Sequence, residues 1–118
     1  MSPPWSFVTA WSPRWTDWRP DADTDSVSRK IAKHYIVRGR VQGVGFRAFV
    51  ERTAGAIGVS GWVQNLDDGT VEVYAIGSLD QIDALEGQLH KGPRFSDVRG
   101  VNVQEAALDA GTRGFRIR

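Results

Sequence analysis

The sequence contains no cysteine and only two histidines, His34 and His90. The absence of cysteine excludes disulfides, thiol nucleophiles and zinc ribbons, and it suits a reducing compartment. Two histidines are too few for a multi-histidine metal site. The sequence also lacks an excess of positive or negative charge, because its 15 Lys and Arg residues nearly balance its 14 Asp and Glu residues. The formal net charge is +1. Polyanion-binding and membrane-surface proteins need a strong basic excess, so we expect neither nucleic acid nor a membrane as partner.

Long apolar runs are missing as well. The first 30 residues offer no uninterrupted stretch for a membrane span or signal peptide, and four prolines interrupt the first 20 residues. We therefore expect a cytoplasmic protein. What is present is ordinary for a globular domain: 118 residues, 41% hydrophobic and 25% charged, which is enough for one domain.

The composition divides the chain near residue 32. Residues 1–32 contain four of the five tryptophans and four of the five prolines, and they show no helical or strand period. We expect them to form a poorly ordered N-terminal extension, since termini are loose unless something holds them. A docking segment that offers its tryptophans to a partner is the alternative. Residues 33–118 are regularly patterned and are expected to form the domain.

Strand and helix patterns alternate through residues 33–118. They predict strands at 34–38, 59–66, 70–76, around 98–103 and at 115–117. They also predict one helix from 46 to 57 that ends at Gly58, and a second helix that starts after Ser78 and ends at Gly92-Pro93. Ser78 and Gln81 predict a capping box. Because each helix has one apolar face, the order β-α-β-β-α-β plus a terminal strand predicts an α+β, ferredoxin-like split βαβ fold. Both helices should cover one face of an antiparallel sheet.

Particular side chains are assigned to the core or to solvent by the same patterns. The buried stripe of the second helix is predicted to be Leu79, Ile82, Leu85 and Leu89. Packing roles are predicted for Tyr35, Phe46, Phe49, Trp62 and Phe95. Both histidines are expected to be solvated.

The segment from Gly39 to Arg47 joins the first strand to the first helix. Its glycines allow a tight turn with several main-chain N–H groups pointing inward, next to the positive end of the helix dipole. Arg47, in the first helical turn, can bind two oxygens of an anion with its guanidinium. This pattern predicts a phosphate site, although glycines that only turn the chain and a solvated arginine remain the alternative. The segment lacks the Lys-Ser/Thr of a P-loop and the third glycine of a dinucleotide-binding loop.

Asn65 stands at the end of the second predicted strand, where asparagine is disfavoured. It either bonds its own backbone beside the Asp67-Asp68-Gly69 turn, or holds a water molecule with an amide that both donates and accepts. In this fold the end of the second strand can approach the first loop, which would place Arg47 and Asn65 in one pocket. The two aspartates can also bind a divalent ion, but no third carboxylate is near them, which favours the turn.

The segments from Gly39 to Arg47 and from Gly61 to Gly69 resemble the two signature segments of the acylphosphatases. The likeness extends through the second helix, the Gly92-Pro93 stop and the closing Phe115-Arg116-Ile117, and thus covers residues 33–118. It is highly specific because both motifs occur together. Residues 1–32 are the part of the chain that the resemblance does not cover.

The resemblance implies an enzyme that hydrolyses acyl phosphates to a carboxylate and inorganic phosphate. It implies that Arg47 binds the phosphoryl group together with main-chain amides, and that Asn65 positions the attacking water. The amides would be those of Gln42, Gly43, Val44, Gly45 and Phe46. It further implies that no metal and no organic cofactor take part, and that the substrate is a small acyl phosphate. We expect the protein to be a monomer.

The chemistry suits a site without an acid or a base. A carboxylate whose conjugate acid has a pKa of about 4 leaves without protonation. Phosphoryl transfer passes through a loose transition state that needs mainly positioning and charge stabilisation.

Two rival hypotheses remain. One is an RNA-binding domain of the same topology, for which the first and third strands offer Tyr35 and Tyr74. The other is a small-molecule regulatory domain, which usually belongs to a longer chain.

Overall fold

The computed structural model describes residues 29–118. Its elements are β1 (Ile31–Arg40), α1 (Phe46–Ile57), β2 (Ser60–Asn65), β3 (Val71–Gly77), α2 (Leu79–Lys91), β4 (Asp97–Ala106) and β5 (Phe115–Ile117). The strand β1 begins at Ile31, two residues before the predicted start of the domain at Lys33. Ala32 is buried and pairs with Ile76 on one side and Ala106 on the other, so it belongs to the sheet. The prediction that the N-terminal extension is poorly ordered concerns residues 1–28, which lie outside the described residues.

The five strands form one sheet in the order β4-β1-β3-β2-β5. The pairs β1–β4, β1–β3 and β2–β3 are antiparallel, as the ferredoxin-like prediction requires. The strand β5 pairs with β2 in parallel, with Ile117 opposite Val63. This fifth strand makes the sheet mixed, and its direction was not part of the prediction.

One core fills the space between the two helices and the sheet. It is formed by alternate residues of the strands and the inner faces of the helices: Tyr35, Val37, Val63, Val71, Val73, Ala75, Phe46, Val50, Ala54, Ile82, Leu85 and Leu89. The period of two on the strands and of three to four on the helices places all of them on inward faces. Neither helix of the described region has the length and apolar content that a membrane crossing requires.

Two predicted core residues are exposed. Leu79, the first residue of α2, is 54% exposed. The nearby Gln81 side chain accepts from the Ser78 N–H and donates to the Ile57 carbonyl. Phe95 is 71% exposed in the turn after α2, where the Arg94 guanidinium lies 5.7 Å from its ring. The predictions of buried Leu79 and packed Phe95 were wrong. The predicted capping box of Ser78 and Gln81 is confirmed.

We call the sheet surface that carries Ala32, His34, Trp62, Tyr74 and Ile76 the open face, because both helices pack on the other side. His34 was expected to be solvated, but it bonds to the Glu72 carboxylate across the sheet. Gln64 donates a second hydrogen bond to the same carboxylate.

The aromatic residues that an RNA-binding surface would need are covered. Tyr35 is fully buried under the helices. On the open face, Tyr74 stacks on Trp62 and its hydroxyl donates to the Ala107 carbonyl (2.6 Å) and accepts from the Asp109 N–H (3.0 Å). The segment after β4 thus lies over Tyr74, which is only 8% exposed. Neither tyrosine can stack on a nucleobase, which counts against the RNA-binding alternative.

Candidate active site

The two helices begin in opposite ways. The helix α2 has a Ser78 cap, an acidic residue in its first turn and basic residues in its last, all of which stabilise a helix. The helix α1 has no side-chain cap and no acidic residue in its first turn. It places the cation of Arg47 there instead, where the helix dipole disfavours positive charge. Unsatisfied N–H groups beside a cation suit an external anion, as the sequence predicted.

The loop that precedes α1 is shaped by two glycines. Gly43 (φ 74°) and Gly45 (φ 79°) lie in the left-handed region, which other residues adopt only under strain. A Cβ atom added at either position would meet nothing within 4 Å. The glycines are therefore required by backbone conformation and not by lack of space. This conformation lets the loop curve around the start of α1, with Gly45 as the residue before its first turn.

Asn65 is the last residue of β2 and pairs with Val71 across the hairpin. Its side chain does not bond to the backbone of the turn, which was one of the two roles that the sequence left open. Asp68 does so, since its carboxylate accepts from the Thr70 N–H (3.0 Å) and hydroxyl (2.6 Å). These hydrogen bonds lower the pKa of Asp68. Within residues 29–118, the Asn65 side chain makes no hydrogen bond and Arg47 makes no ion pair.

Arg47 and Asn65 line the same pocket, which has a volume of about 200 Å³. The other lining residues are Val41, Gly43, Gly45, Phe46, Ala48 and Ile117. The structure thus brings together Gly43, Gly45, Phe46, Arg47 and Asn65, all five predicted from sequence. Gln42 and Val44, also predicted for this site, do not line it. Val44 packs against the core instead.

Two contacts at the site were missed by sequence reasoning, one made by Ile117 and one by the side chain of Gln42. Ile117 reaches the pocket because β5 pairs in parallel with β2 next to Asn65. The Gln42 side chain spans from the loop to the β2–β3 turn, where its amide nitrogen donates to the Leu66 (2.7 Å) and Thr70 (2.8 Å) carbonyls. No local pattern indicates either contact, because each joins segments that are distant in sequence.

A larger hollow, of about 500 Å³, lies beside Trp62 and includes Arg113, Arg116 and Arg118. One of its three charges is already engaged, because the Arg118 guanidinium lies 4.2 Å from the centre of the Trp62 ring. The hollow contains no helix N-terminus. The smaller pocket is therefore the better candidate for an anion site, since there oriented main-chain N–H groups, a guanidinium and a carboxamide converge.

Known proteins are similar to this chain in sequence and in fold. The acylphosphatase family model matches residues 33–117. An acylphosphatase of Solibacter usitatus is 52% identical over 93 residues, which cover 79% of this chain and 96% of that protein. The crystal structure of the Bacillus subtilis acylphosphatase is similar with a TM-score of 0.72 at 39% identity, covering 75% of this chain and 98% of the other. The structure of an acylphosphatase from Coxiella burnetii is similar with a TM-score of 0.74 at 37% identity. The match covers 80% of this chain and 99% of the other.

Fold and sequence similarity agree, and the chain belongs to the acylphosphatase family. It is a hydrolase that converts acyl phosphates to a carboxylate and inorganic phosphate. The resemblance of the two signature segments to this family is thereby confirmed.

Proposed function

We propose that Arg47 and Asn65 perform the hydrolysis in the pocket that they share. Arg47 binds the phosphoryl oxygens together with the main-chain N–H groups from Gln42 to Phe46. Asn65 holds the attacking water with its carboxamide. The single observation that supports these roles best is that both polar side chains line one pocket beside an uncapped helix start.

In the proposed reaction, the water oxygen forms a bond to phosphorus. The bond between phosphorus and the bridging acyl oxygen breaks, and its electron pair leaves with the carboxylate. The proton of the water passes to a phosphoryl oxygen of the substrate. The carboxylate leaves without protonation because its conjugate acid is strong. The guanidinium and amides stabilise the charge on the equatorial oxygens of the loose transition state.

No metal ion is needed in this mechanism, because the site's positive charge comes from Arg47 and the helix dipole. The test is the time course of benzoyl phosphate hydrolysis with and without a strong chelator. We expect equal rates. A rate that falls with the chelator and returns with a divalent cation would contradict the proposed mechanism, whereas the absence of hydrolysis under both conditions would contradict the activity itself.

We also propose that the protein is a cytoplasmic monomer. The pocket is lined by residues of one chain, from the first loop, the end of β2 and β5. The lack of cysteine supports a reducing compartment. Light scattering on the purified protein tests the monomer, and a fluorescent fusion tests the compartment.

A further inference from the structure

The Gln42 side chain connects the two halves of the pocket without lining it. Its amide nitrogen has two hydrogens, and each is placed to bond to one carbonyl, that of Leu66 at 2.7 Å and that of Thr70 at 2.8 Å. Both neighbours are acceptors, so the nitrogen and not the oxygen of the carboxamide must face them.

The two carbonyls are those that close the β2–β3 hairpin. The Leu66 N–H donates to the Thr70 carbonyl (2.9 Å), and the Gly69 N–H donates to the Leu66 carbonyl (3.2 Å). The hairpin is therefore closed by its own main chain, and Gln42 adds a second donor to each oxygen. Leu66 follows Asn65 directly, so the amide fixes the loop against the backbone that carries Asn65.

We propose that Gln42 is a positioning residue that holds the phosphate-binding loop in register with Asn65. This proposal rests on the roles proposed above for Arg47 and Asn65. Phosphorus is held by the loop and α1, whereas the water is held from β2. The distance between them depends on how these segments are joined, and a misplacement of about 1 Å can cost a factor of about 100 in rate.

The proposal predicts which kinetic constant changes. Phosphate contacts come from the loop and Arg47 alone, so they survive when the link to the hairpin is lost. The placement of water relative to phosphorus does not survive. For Gln42→Met, which keeps the length but removes both hydrogen bonds, we expect kcat to fall about 10- to 100-fold. KM and the inhibition constant of inorganic phosphate should stay within about threefold.

A control variant separates positioning from stability. Asp68→Ala removes the hydrogen bonds that Asp68 accepts from Thr70 in the same turn but leaves the Gln42 contacts in place. We expect it to lower the melting temperature and to leave kcat unchanged. If Gln42→Met lowers only the melting temperature, as Asp68→Ala does, the positioning role is refuted.

A double-mutant cycle with Asn65→Ala tests whether Gln42 acts through Asn65. We expect Gln42→Met to cost nothing further in kcat once Asn65 is absent. Additive losses would refute the proposal while leaving the role of Asn65 intact. If Asn65→Ala alone keeps full activity, the proposed function of that residue fails first, and the two failures can be told apart.

Two more substitutions keep the test decisive. Gln42→Asn leaves the amide one methylene short of the carbonyls, and it answers the same question if the methionine variant does not fold. Failure of both to fold would assign Gln42 to stability and overturn the proposal.

Gln42→Glu places a carboxylate against two carbonyl oxygens. Its kcat relative to the parent should rise as the pH falls, because the protonated acid can donate one hydrogen bond again.

Discussion

Arg47 and Asn65 belong to different elements, the first turn of α1 and the last residue of β2, yet they line one pocket. Neither side chain forms an ion pair or a hydrogen bond within residues 29–118 that would explain its presence there. A guanidinium and a carboxamide left for an external ligand fit a phosphoryl group and a water molecule.

Arg47→Ala is expected to lower turnover of benzoyl phosphate at least 100-fold, about 2.7 kcal/mol of transition-state stabilisation. It removes the only charged donor that residues 29–118 contribute to the pocket. Arg47→Lys should restore part of the rate, because it returns the charge but not the two-pronged geometry. The matched control is Arg52→Ala, which removes an exposed arginine from the same helix and should have no effect. Parent-level turnover in Arg47→Ala would refute the assignment.

Asn65→Ala should lower turnover while inhibition by inorganic phosphate stays nearly unchanged, because its proposed partner is the water and not the anion. Steady-state kinetics with phosphate as competitor measures both quantities. Asn102→Ala, at an exposed strand position on β4, is the control for the loss of an asparagine. Weaker phosphate inhibition with unchanged turnover would reverse the roles proposed for the two residues.

Two truncations test where the domain begins. A chain that starts at Arg29 keeps all of β1 and is expected to retain the full activity and melting temperature of the parent. A chain that starts at Lys33 loses Ile31 and Ala32, with their pairing to Gly77, Ile76 and Ala106, and should melt at a lower temperature. A large loss of stability in the first truncation would show that the tryptophan-rich residues contact the domain.

Glu72 gives the stability a predictable pH dependence. Partial burial acts to raise its pKa, but hydrogen bonds from Gln64 and His34 and the charge of Arg118 outweigh it, so its pKa lies below the ordinary 4.5. A carboxylate with a lowered pKa stabilises the fold above that ordinary value, and the contribution is lost as the pH falls through the lowered one. Glu72→Gln should therefore be less stable than the parent at pH 7, and the difference should shrink as the pH falls through the lowered pKa.

The urea midpoints of both proteins across this range measure the effect. Glu51→Gln, an exposed charge change on α1, should give a difference from the parent that hardly varies with pH. Activity at pH 7 should be unchanged in Glu72→Gln, because Glu72 lies on the open face and outside the pocket. A constant gap between Glu72→Gln and the parent at all pH values would contradict the prediction.

Local signals predicted the fold and most of the site. Apolar periodicity, the Ser78 capping box and the glycines around Arg47 each depend on neighbouring residues. The structure confirms the helices, the strands, the capping box and the turn-forming glycines, whereas Leu79 and Phe95 are exposed against prediction. The contacts that sequence reasoning missed join distant segments. Gln42 reaches the β2–β3 hairpin, Ile117 enters the pocket through β5, and His34 bonds to Glu72 across the sheet. Such contacts follow from strand order and register, which periodicity alone does not determine.

The parallel pairing of β5 with β2 makes completion of the pocket depend on the docking of an edge strand. Ile117 enters the pocket only when this three-residue strand has docked beside Val63, and that docking needs β2 to be in place already. A refolding chain can thus collapse its interior before it can turn over substrate. We expect enzymatic activity to return later than the helical signal during refolding. The delay between the two would measure how long β5 takes to dock beside β2.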